Sequence, residues 1–132
     1  MASDLDEQPP AALLLCGEST VPCTVLHRAI TDAGFDVVCV VGRWSEAVER
    51  IAELSVEVAV IDLALTGSIG VRLVPVLRAA APGCEIIAIS PLENIDLTVL
   101  EAGAIEVVHP DDLRPLTAAL KRIAHLRRPS SV

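Results

Sequence analysis

Short apolar runs alternate along the chain with segments in which apolar residues recur every three or four positions. Short apolar runs are typical of buried β-strands, and the longer spacing is typical of amphipathic helices. Because the strands are apolar on both faces and alternate with helices, they predict an α/β fold with one parallel sheet between two helical layers. The predicted strands are residues 12–16, 36–41, 57–61, 85–89 and 105–108. The predicted helices are residues 20–33, 69–81 and 95–102, and two more that begin at Ser45 and Asp112.

Four residues are expected to set helix boundaries. Ser45 and Asp112 carry side-chain oxygens that can accept the first backbone N–H groups of a helix. Gly34 is expected to end the first helix, because glycine adopts the backbone conformation that terminates helices. Pro75 lies inside the third helical pattern, where its missing N–H is expected to shorten or kink the helix.

The length of 132 residues predicts one domain with one sizeable core. Residues 1–10 are acidic and end in two prolines, so we expect a disordered lead-in. Residues 127–132 read Arg-Arg-Pro-Ser-Ser-Val and are expected to form a disordered tail. Residues 11–126 hold neither a repeat nor a linker, which predicts a single folded unit.

The charge balance argues against nucleic acid as a partner. Ten Lys and Arg face eighteen Asp and Glu, and the formal net charge of −8 repels a phosphate backbone. Phe35 and Trp44 are the only aromatic residues, so the sequence has no platform for base stacking. The longest apolar run, residues 11–16, is far shorter than the ~20 residues of a membrane helix. Because the acidic N-terminus also differs from a secretory signal, we expect a cytoplasmic protein without membrane contact.

The cysteines give no sign of a metal or redox motif. Cys16, Cys23, Cys39 and Cys84 form no Cys-x-x-Cys pair, and no histidine stands at zinc spacing from them. Cys16 and Cys39 lie inside apolar runs, so we expect small buried core residues. A disulfide is not expected, since cytoplasmic proteins rarely keep one.

Polar residues follow the predicted strands where each strand ends. Gly17 and Glu18 follow the first strand, and Asp62 ends the third. Ser90 ends the fourth strand and His109 the fifth. Ordinary turn chemistry explains each residue singly. Together they predict a functional site, because the carboxyl ends of parallel strands meet at one edge of the sheet.

Three segments carry a resemblance to a known family. Residues 58–70 read Val-Ala-Val-Ile-Asp-Leu-Ala-Leu-Thr-Gly-Ser-Ile-Gly, with Asp62 at a strand end and a glycine eight residues later. Residues 86–90 read Ile-Ile-Ala-Ile-Ser, and residues 100–110 read Leu-Glu-Ala-Gly-Ala-Ile-Glu-Val-Val-His-Pro. Over about residues 11–126 the chain resembles the receiver domain of bacterial two-component response regulators. The resemblance implies a flavodoxin-like three-layer fold with strand order 2-1-3-4-5.

The resemblance also implies a phosphoryl-transfer chemistry. Asp62 would be the phosphoacceptor, whose carboxylate takes a phosphoryl group from a histidine kinase or a phosphotransfer protein. Mg²⁺ would be held by Asp62, Glu18 and the carbonyl of Ala64. Ser90 would contact a phosphoryl oxygen and move with it. His109 stands where the family has a lysine, and the peptide bond that follows it, before a proline, is expected to be cis.

Several family positions are altered in this sequence. Gly17 replaces one acid of the family's pair, and the only lysine is Lys121 in the last helix. Val107 stands at the family's aromatic switch position and has no ring to swing. Thr66 replaces the usual proline after the phosphoacceptor. With one carboxylate and the lysine missing, we expect Mg²⁺ to bind weakly.

Two hypotheses of function remain open at this point. The first is a stand-alone, non-enzymatic receiver phosphorylated on Asp62, whose output passes through an output protein bound at residues 95–108. The alternative is a degenerate pseudo-receiver that binds its partner without phosphorylation, as the altered positions suggest. A small flavodoxin-like enzyme or cofactor binder is disfavoured, because no glycine-rich loop follows the first strand and tyrosine is absent.

Overall fold

Within residues 9–17, 21–66, 69–92 and 95–127, which the computed structural model describes, five strands form one parallel sheet. The strand order is β2-β1-β3-β4-β5, which confirms the predicted topology. Each predicted strand is present to within one residue at either end. The strands are β1 (Ala11–Leu15), β2 (Asp36–Val41), β3 (Val58–Asp62), β4 (Glu85–Ile89) and β5 (Glu106–Val108).

Helices cover both faces of this sheet and complete the predicted three layers. The first and last helices pack on one face, and the other three pack on the opposite face. Two short 3₁₀ turns, Leu63–Leu65 and Gly70–Arg72, lie between β3 and the third helix. The helices are α1 (Cys23–Asp32), α2 (Trp44–Glu53), α3 (Leu73–Ala80), α4 (Asp96–Glu101) and α5 (Arg114–Arg127).

The central strands supply the core to both layers. Along β1, Leu14 packs towards α1 and α5, whereas Leu13 and Leu15 pack towards α2 and α3. All five residues of β3 are buried. Each fully buried aliphatic side chain contributes about 1.5–3 kcal/mol of transfer free energy. The continuous apolar runs in the sequence therefore have a direct cause, since a central strand packs against a helical layer on each of its two faces.

The helix starts agree with the predicted caps in one case and differ in the other. The backbone N–H of Arg114 donates to Asp112 Oδ1 at 3.2 Å, so Asp112 caps the start of α5 as predicted. The prediction for Ser45 is wrong. Helix α2 begins one residue earlier, at Trp44, and among the described residues Arg43 takes the cap position without a side-chain hydrogen bond.

Pro75 shortens the third helix as expected. It is the third residue of α3, inside the first turn, where a missing N–H costs no helical hydrogen bond. The preceding turn, Gly70–Arg72, is a 3₁₀ turn rather than α-helix. Gly34 ends α1 with a φ of 101°, a backbone conformation that side chains with a Cβ disfavour.

One covalent link contradicts the expectation from the sequence. The structure pairs Cys16 with Cys23 in a disulfide, with their Cα atoms 5.5 Å apart. Cys16 directly follows β1 and Cys23 opens α1, so the chain returns to the same place within seven positions. Cys39 and Cys84 take no part in a disulfide.

The predicted disordered lead-in and tail fall mostly outside the part of the chain that the structure describes. Residues 1–8 and 128–132 lie outside the described residues, so disorder there stays a prediction. No helix of the described part is long and apolar enough to cross a membrane.

Candidate functional site

The sheet register brings the ends of the central strands together. Leu15 pairs with Ile61, so the residue after β1 is level with Asp62 at the end of β3. Asp62 in turn pairs with Ile89, the last residue of β4, so Ser90 follows directly after the position level with Asp62. The Ser90 backbone N–H donates to the carbonyl of Val108 at 3.0 Å, which extends the same edge to β5.

Asp62 lies buried at the centre of this edge. Its side chain has an exposed fraction of 0%, because it ends the most enclosed strand of the sheet. Its Oδ1 accepts a hydrogen bond from the backbone N–H of Ala64 at 3.0 Å. This bond starts the 3₁₀ turn Leu63–Leu65 and orients the carboxylate. A buried carboxylate with a fixed orientation is suited to act as a nucleophile or a cation ligand.

Two buried hydroxyl groups accompany Asp62. Ser90 accepts a hydrogen bond from the backbone N–H of Leu92 at 3.1 Å through its Oγ. Thr66 donates from its hydroxyl to the carbonyl of Leu63 at 2.7 Å. Sequence reasoning treated Thr66 only as a replaced proline and missed that it is buried. The polar residue four positions after Asp62, on the same loop, was the available signal.

Gly17 directly adjoins the loop that follows Asp62. A Cβ built on Gly17 would lie 2.9 Å from Leu65 Cδ2 and 3.3 Å from Leu65 Cδ1. A distance of 2.9 Å is shorter than normal van der Waals contact between carbon atoms. The end of the Leu65 side chain therefore lies against Gly17, and it would have to move aside for any larger residue at this position.

His109 makes a different contact from the one that the resemblance implied. Its Nε2 lies 3.2 Å from Oδ2 of Asp96, so the ring is held by the first turn of α4. Asp96 Oδ1 is buried without a hydrogen-bond partner in the described part of the chain. Sequence reasoning missed Asp96, although an acidic residue that opens a helix is a recognisable feature.

The expectation of a cis bond before Pro110 is wrong. No peptide bond among the described residues is cis, so the His109–Pro110 bond is trans. Trans is the lower-energy isomer of an X–Pro bond by about 0.5–1 kcal/mol. In this arrangement the His109 ring reaches Asp96.

Val107 belongs to the core. Its side chain is buried in the cluster beneath α2, α3 and α4. Its neighbour Val108 is buried on the opposite face of the sheet. Val107 therefore contributes to packing, and it has no ring that could swing between a buried and an exposed position.

The predicted Mg²⁺ ligands fit a divalent cation in type but are few. The Asp62 carboxylate and the Ala64 carbonyl are hard oxygen donors of the kind that Mg²⁺ prefers. Glu18, the third predicted ligand, lies outside the described residues. Within those residues, no group of three His, Cys, Asp or Glu side chains could hold a metal ion. A cation here would thus rely on fewer charged ligands than three carboxylates provide.

The C-terminal end of the edge carries one strongly perturbed carboxyl group. The Arg114 guanidinium donates to Asp112 Oδ1 at 2.8 Å and to Oδ2 at 3.0 Å. These hydrogen bonds, with that of the Arg114 backbone, lower the pKa of Asp112 to about 2. The pair is exposed and lies where the loop after His109 meets α5.

Comparison with known proteins agrees with this architecture. A protein-glutamate methylesterase/protein-glutamine glutaminase of Myxococcus xanthus is 31% identical over 121 residues, which are 89% of this chain and 34% of that protein. The chain spans about a third of the length of the curated relatives that it matches.

Solved structures share the fold. A two-component response regulator from Clostridium difficile matches with a TM-score of 0.75 and 20% identity, over 92% of this chain and 99% of that one. The receiver domain of a sensor histidine kinase from Pseudomonas aeruginosa matches with a TM-score of 0.71 and 20% identity, over 89% of this chain and 98% of that one. That receiver was solved with a magnesium ion coordinated in its active-site cleft.

The family model of the response regulator receiver domain matches residues 13–121, which is most of the chain. The matched range contains all five strands apart from the first two residues of β1. With the strand order and the aspartate at the end of β3, this match shows that the chain belongs to the response regulator receiver domain family.

Proposed function

We propose that this receiver domain takes up a phosphoryl group on Asp62 and passes the signal to a partner protein in the cytoplasm. The observation that supports this role most directly is the place of Asp62. It is a buried, oriented carboxylate at the carboxyl end of the central strand, one register step from the Ser90 hydroxyl. The phosphodonor would be a histidine kinase or a phosphotransfer protein, in keeping with the receiver family.

The transfer would exchange one bond to phosphorus for another. A carboxylate oxygen of Asp62 attacks the phosphorus of a phosphohistidine, and the phosphorus–nitrogen bond breaks as the imidazole leaves. The product is an acyl phosphate on Asp62. Ser90 accepts a hydrogen bond from Leu92, which leaves its hydroxyl proton able to donate to a phosphoryl oxygen.

The charge of the added phosphoryl group needs stabilisation. A bound Mg²⁺ would neutralise part of that charge, with Asp62, the Ala64 carbonyl and Glu18 as the residues that would hold it. His109 would assist only after its ring leaves Asp96, which it contacts at 3.2 Å. Phosphorylation is therefore expected to compete with the His109–Asp96 contact.

The face around α4 is suited to an output partner. Leu97 and Leu100 lie on this helix with exposed fractions of 68% and 42%. The His109–Asp96 contact joins α4 to the end of β5, so a change at Asp62 has a short route to this face. We propose residues 95–108 as the output surface. The receiver domain is itself non-enzymatic, and the methylesterase activity in the name of the Myxococcus relative is that protein's own.

Intact mass measurement tests the phosphoacceptor. The protein is incubated with Mg²⁺ and acetyl phosphate, and a gain of one phosphoryl group is expected for the wild type. Asp62→Asn keeps the size and the ability to accept the Ala64 N–H, and it is expected to gain none. No gain in the wild type, also with a phosphorylated phosphotransfer protein as donor, would contradict the proposal and favour a phosphorylation-independent receiver.

Crosslinking tests the output surface. Leu97→Glu places a charge on the exposed face of α4 and is expected to reduce partner capture from a lysate. Val38→Glu is the matched control, because Val38 is exposed on the β2 edge at the other side of the sheet. Crosslinks that map only to β2 would reject the assignment of residues 95–108.

A further inference from the structure

The outer strand β2 and the two residues after it, named here the β2 strip (residues 36–43), form an uncovered edge of the sheet. β2 lies at the end of the strand order and pairs with β1 on its inner side. Val38 and Val40 have exposed fractions of 45% and 50%, and within the described strands they are the only exposed apolar side chains. β2 contains neither proline nor lysine, the residues that commonly protect a sheet edge. The β2 strip therefore offers an apolar surface for association.

A groove runs between the β2 strip and helix α1. Val40 pairs with Leu14 in the sheet, and Leu14 packs towards α1 and α5, so Val40 faces the same side of the sheet as α1. The groove has a volume of about 450 Å³, and its lining includes Val40 and Leu14 as well as His27 and Thr31 of α1. Because α1 leaves half of Val40 exposed, the groove has room for an apolar side chain of another molecule.

A β-bulge limits how this edge can associate. Val37 pairs with Ala12 and Cys39 pairs with Leu13, so Val38 is an extra residue that opposes no residue of its own on β1. A bulge breaks the regular spacing of backbone N–H and C=O groups along a strand. It thereby disfavours the addition of a long peptide strand at this edge. An association at β2 thus depends on the valine side chains more than on a backbone ladder.

Two opposite charges stand at the ends of the β2 strip. Asp36 begins β2 and Arg43 lies two residues after its last residue, and both are exposed. Neither residue forms an ion pair with another part of the described chain. Residues 37–42 carry no charge, so the strip is neutral although the chain has a net charge of −8. An apolar strip with an acid at one end and a base at the other is complementary to an antiparallel copy of itself.

We propose that the β2 strip binds a second copy of this chain. The two copies lie antiparallel about a two-fold axis, so that Val40 of each copy packs against the exposed valines of the other. Asp36 of each copy then lies close to Arg43 of the other. The contact does not involve Asp62. It also leaves residues 95–108 free, because β5 forms the opposite edge of the sheet.

Sedimentation equilibrium of the full chain over a range of concentrations measures this dimer. The wild type is expected to show a monomer–dimer equilibrium. Val40→Glu is expected to raise the dissociation constant about 100-fold, because it places a charge in the apolar contact. Val76→Glu is the matched control, since Val76 has an exposed fraction of 39% and lies on α3 at the other face of the sheet. A wild type that stays monomeric up to about 1 mM would overturn the proposal, as would a Val40→Glu variant that dimerises normally.

Exchange of the two charges tests the antiparallel arrangement without altering the apolar contact. Asp36→Arg brings like positive charges together across the axis, and Arg43→Asp brings like negative charges together. Each variant alone is expected to raise the dissociation constant about tenfold. An equimolar mixture of the two variants is expected to regain the wild-type affinity, because each new charge then meets its opposite. Both positions are exposed, so a loss of folding does not explain such a recovery. A mixture that recovers no affinity would refute the arrangement.

The dimer and the proposed function can fail separately. A wild type that dimerises but gains no phosphoryl group contradicts the proposed function alone, and a phosphorylated wild type that stays monomeric contradicts the dimer alone. Val38→Glu is expected to weaken the dimer and to leave capture of an output partner unchanged. A dimer that is lost in Leu97→Glu and kept in Val40→Glu would place the contact on α4 and overturn the β2 dimer. So would a monomeric wild type whose β2 strip crosslinks to a different protein.

Discussion

Reduction of the Cys16–Cys23 disulfide is expected to destabilise the protein measurably. The bond joins the residue after β1 to the first residue of α1. It closes the loop that contains Gly17 and the predicted ligand Glu18. Because Cys39 and Cys84 take no part in a disulfide, reductant has a single target within the described residues.

The magnitude follows from the length of the closed loop. A separation of seven positions gives a loop of eight residues, counting both cysteines. The chain-entropy relation for such a loop gives about 2.5 kcal/mol at room temperature, by which the cross-link disfavours the unfolded state. This is a large share of the ~5–15 kcal/mol that stabilises a typical domain.

Urea unfolding with and without dithiothreitol measures this difference. The wild type is expected to lose about 2–3 kcal/mol of unfolding free energy on reduction. Cys23→Ser is expected to start from the lower value and not to respond to reductant. Cys39→Ser is the matched control and is expected to respond as the wild type does.

Alkylation under denaturing conditions checks the pairing itself. Without reductant, two thiols are expected to react with iodoacetamide, since two of the four cysteines lie outside the disulfide. After reduction all four are expected to react. Four reactive thiols in the protein as purified from cytoplasm, together with unfolding curves that reductant does not shift, would refute the disulfide and the stability derived from it.

Three further outcomes are expected from single substitutions. Gly34→Ala should cost about 1–2 kcal/mol of unfolding free energy because φ is 101° there, whereas Gly42→Ala, with no neighbour within 4 Å of its Cβ, should be tolerated. Asp112 should titrate near pH 2 by NMR, and Arg114→Gln should return the pKa of Asp112 towards 3.8. The ionised Asp112 carboxylate contributes stability above its ordinary pKa of 3.8, and this contribution is lost as the pH falls through about 2. Ser90→Ala should cost about 1 kcal/mol in urea unfolding, because the backbone N–H two residues later loses its acceptor.

The order of elements was predictable because it depends on local patterns. A strand buried on both faces must be apolar throughout, and β3 shows this in the sequence as clearly as in the structure. Its end is marked by Asp62, since a polar residue closes an apolar run. The same reasoning located Ser90 at the end of β4. Parallel strands then place both residues at one edge, because strands that run in the same direction have their carboxyl ends on the same side of the sheet.

Contacts between loops were decided only by the tertiary structure. The Leu65 side chain lies against Gly17, and His109 contacts Asp96. The sequence places these residues on different loops, and the distance between two loops depends on how the helices pack and where each turn begins. A helix start that moves by one residue turns its side chains by about 100°. The sequence by itself thus determined the fold and the strand that ends in Asp62. Packing decided which side chains surround that aspartate.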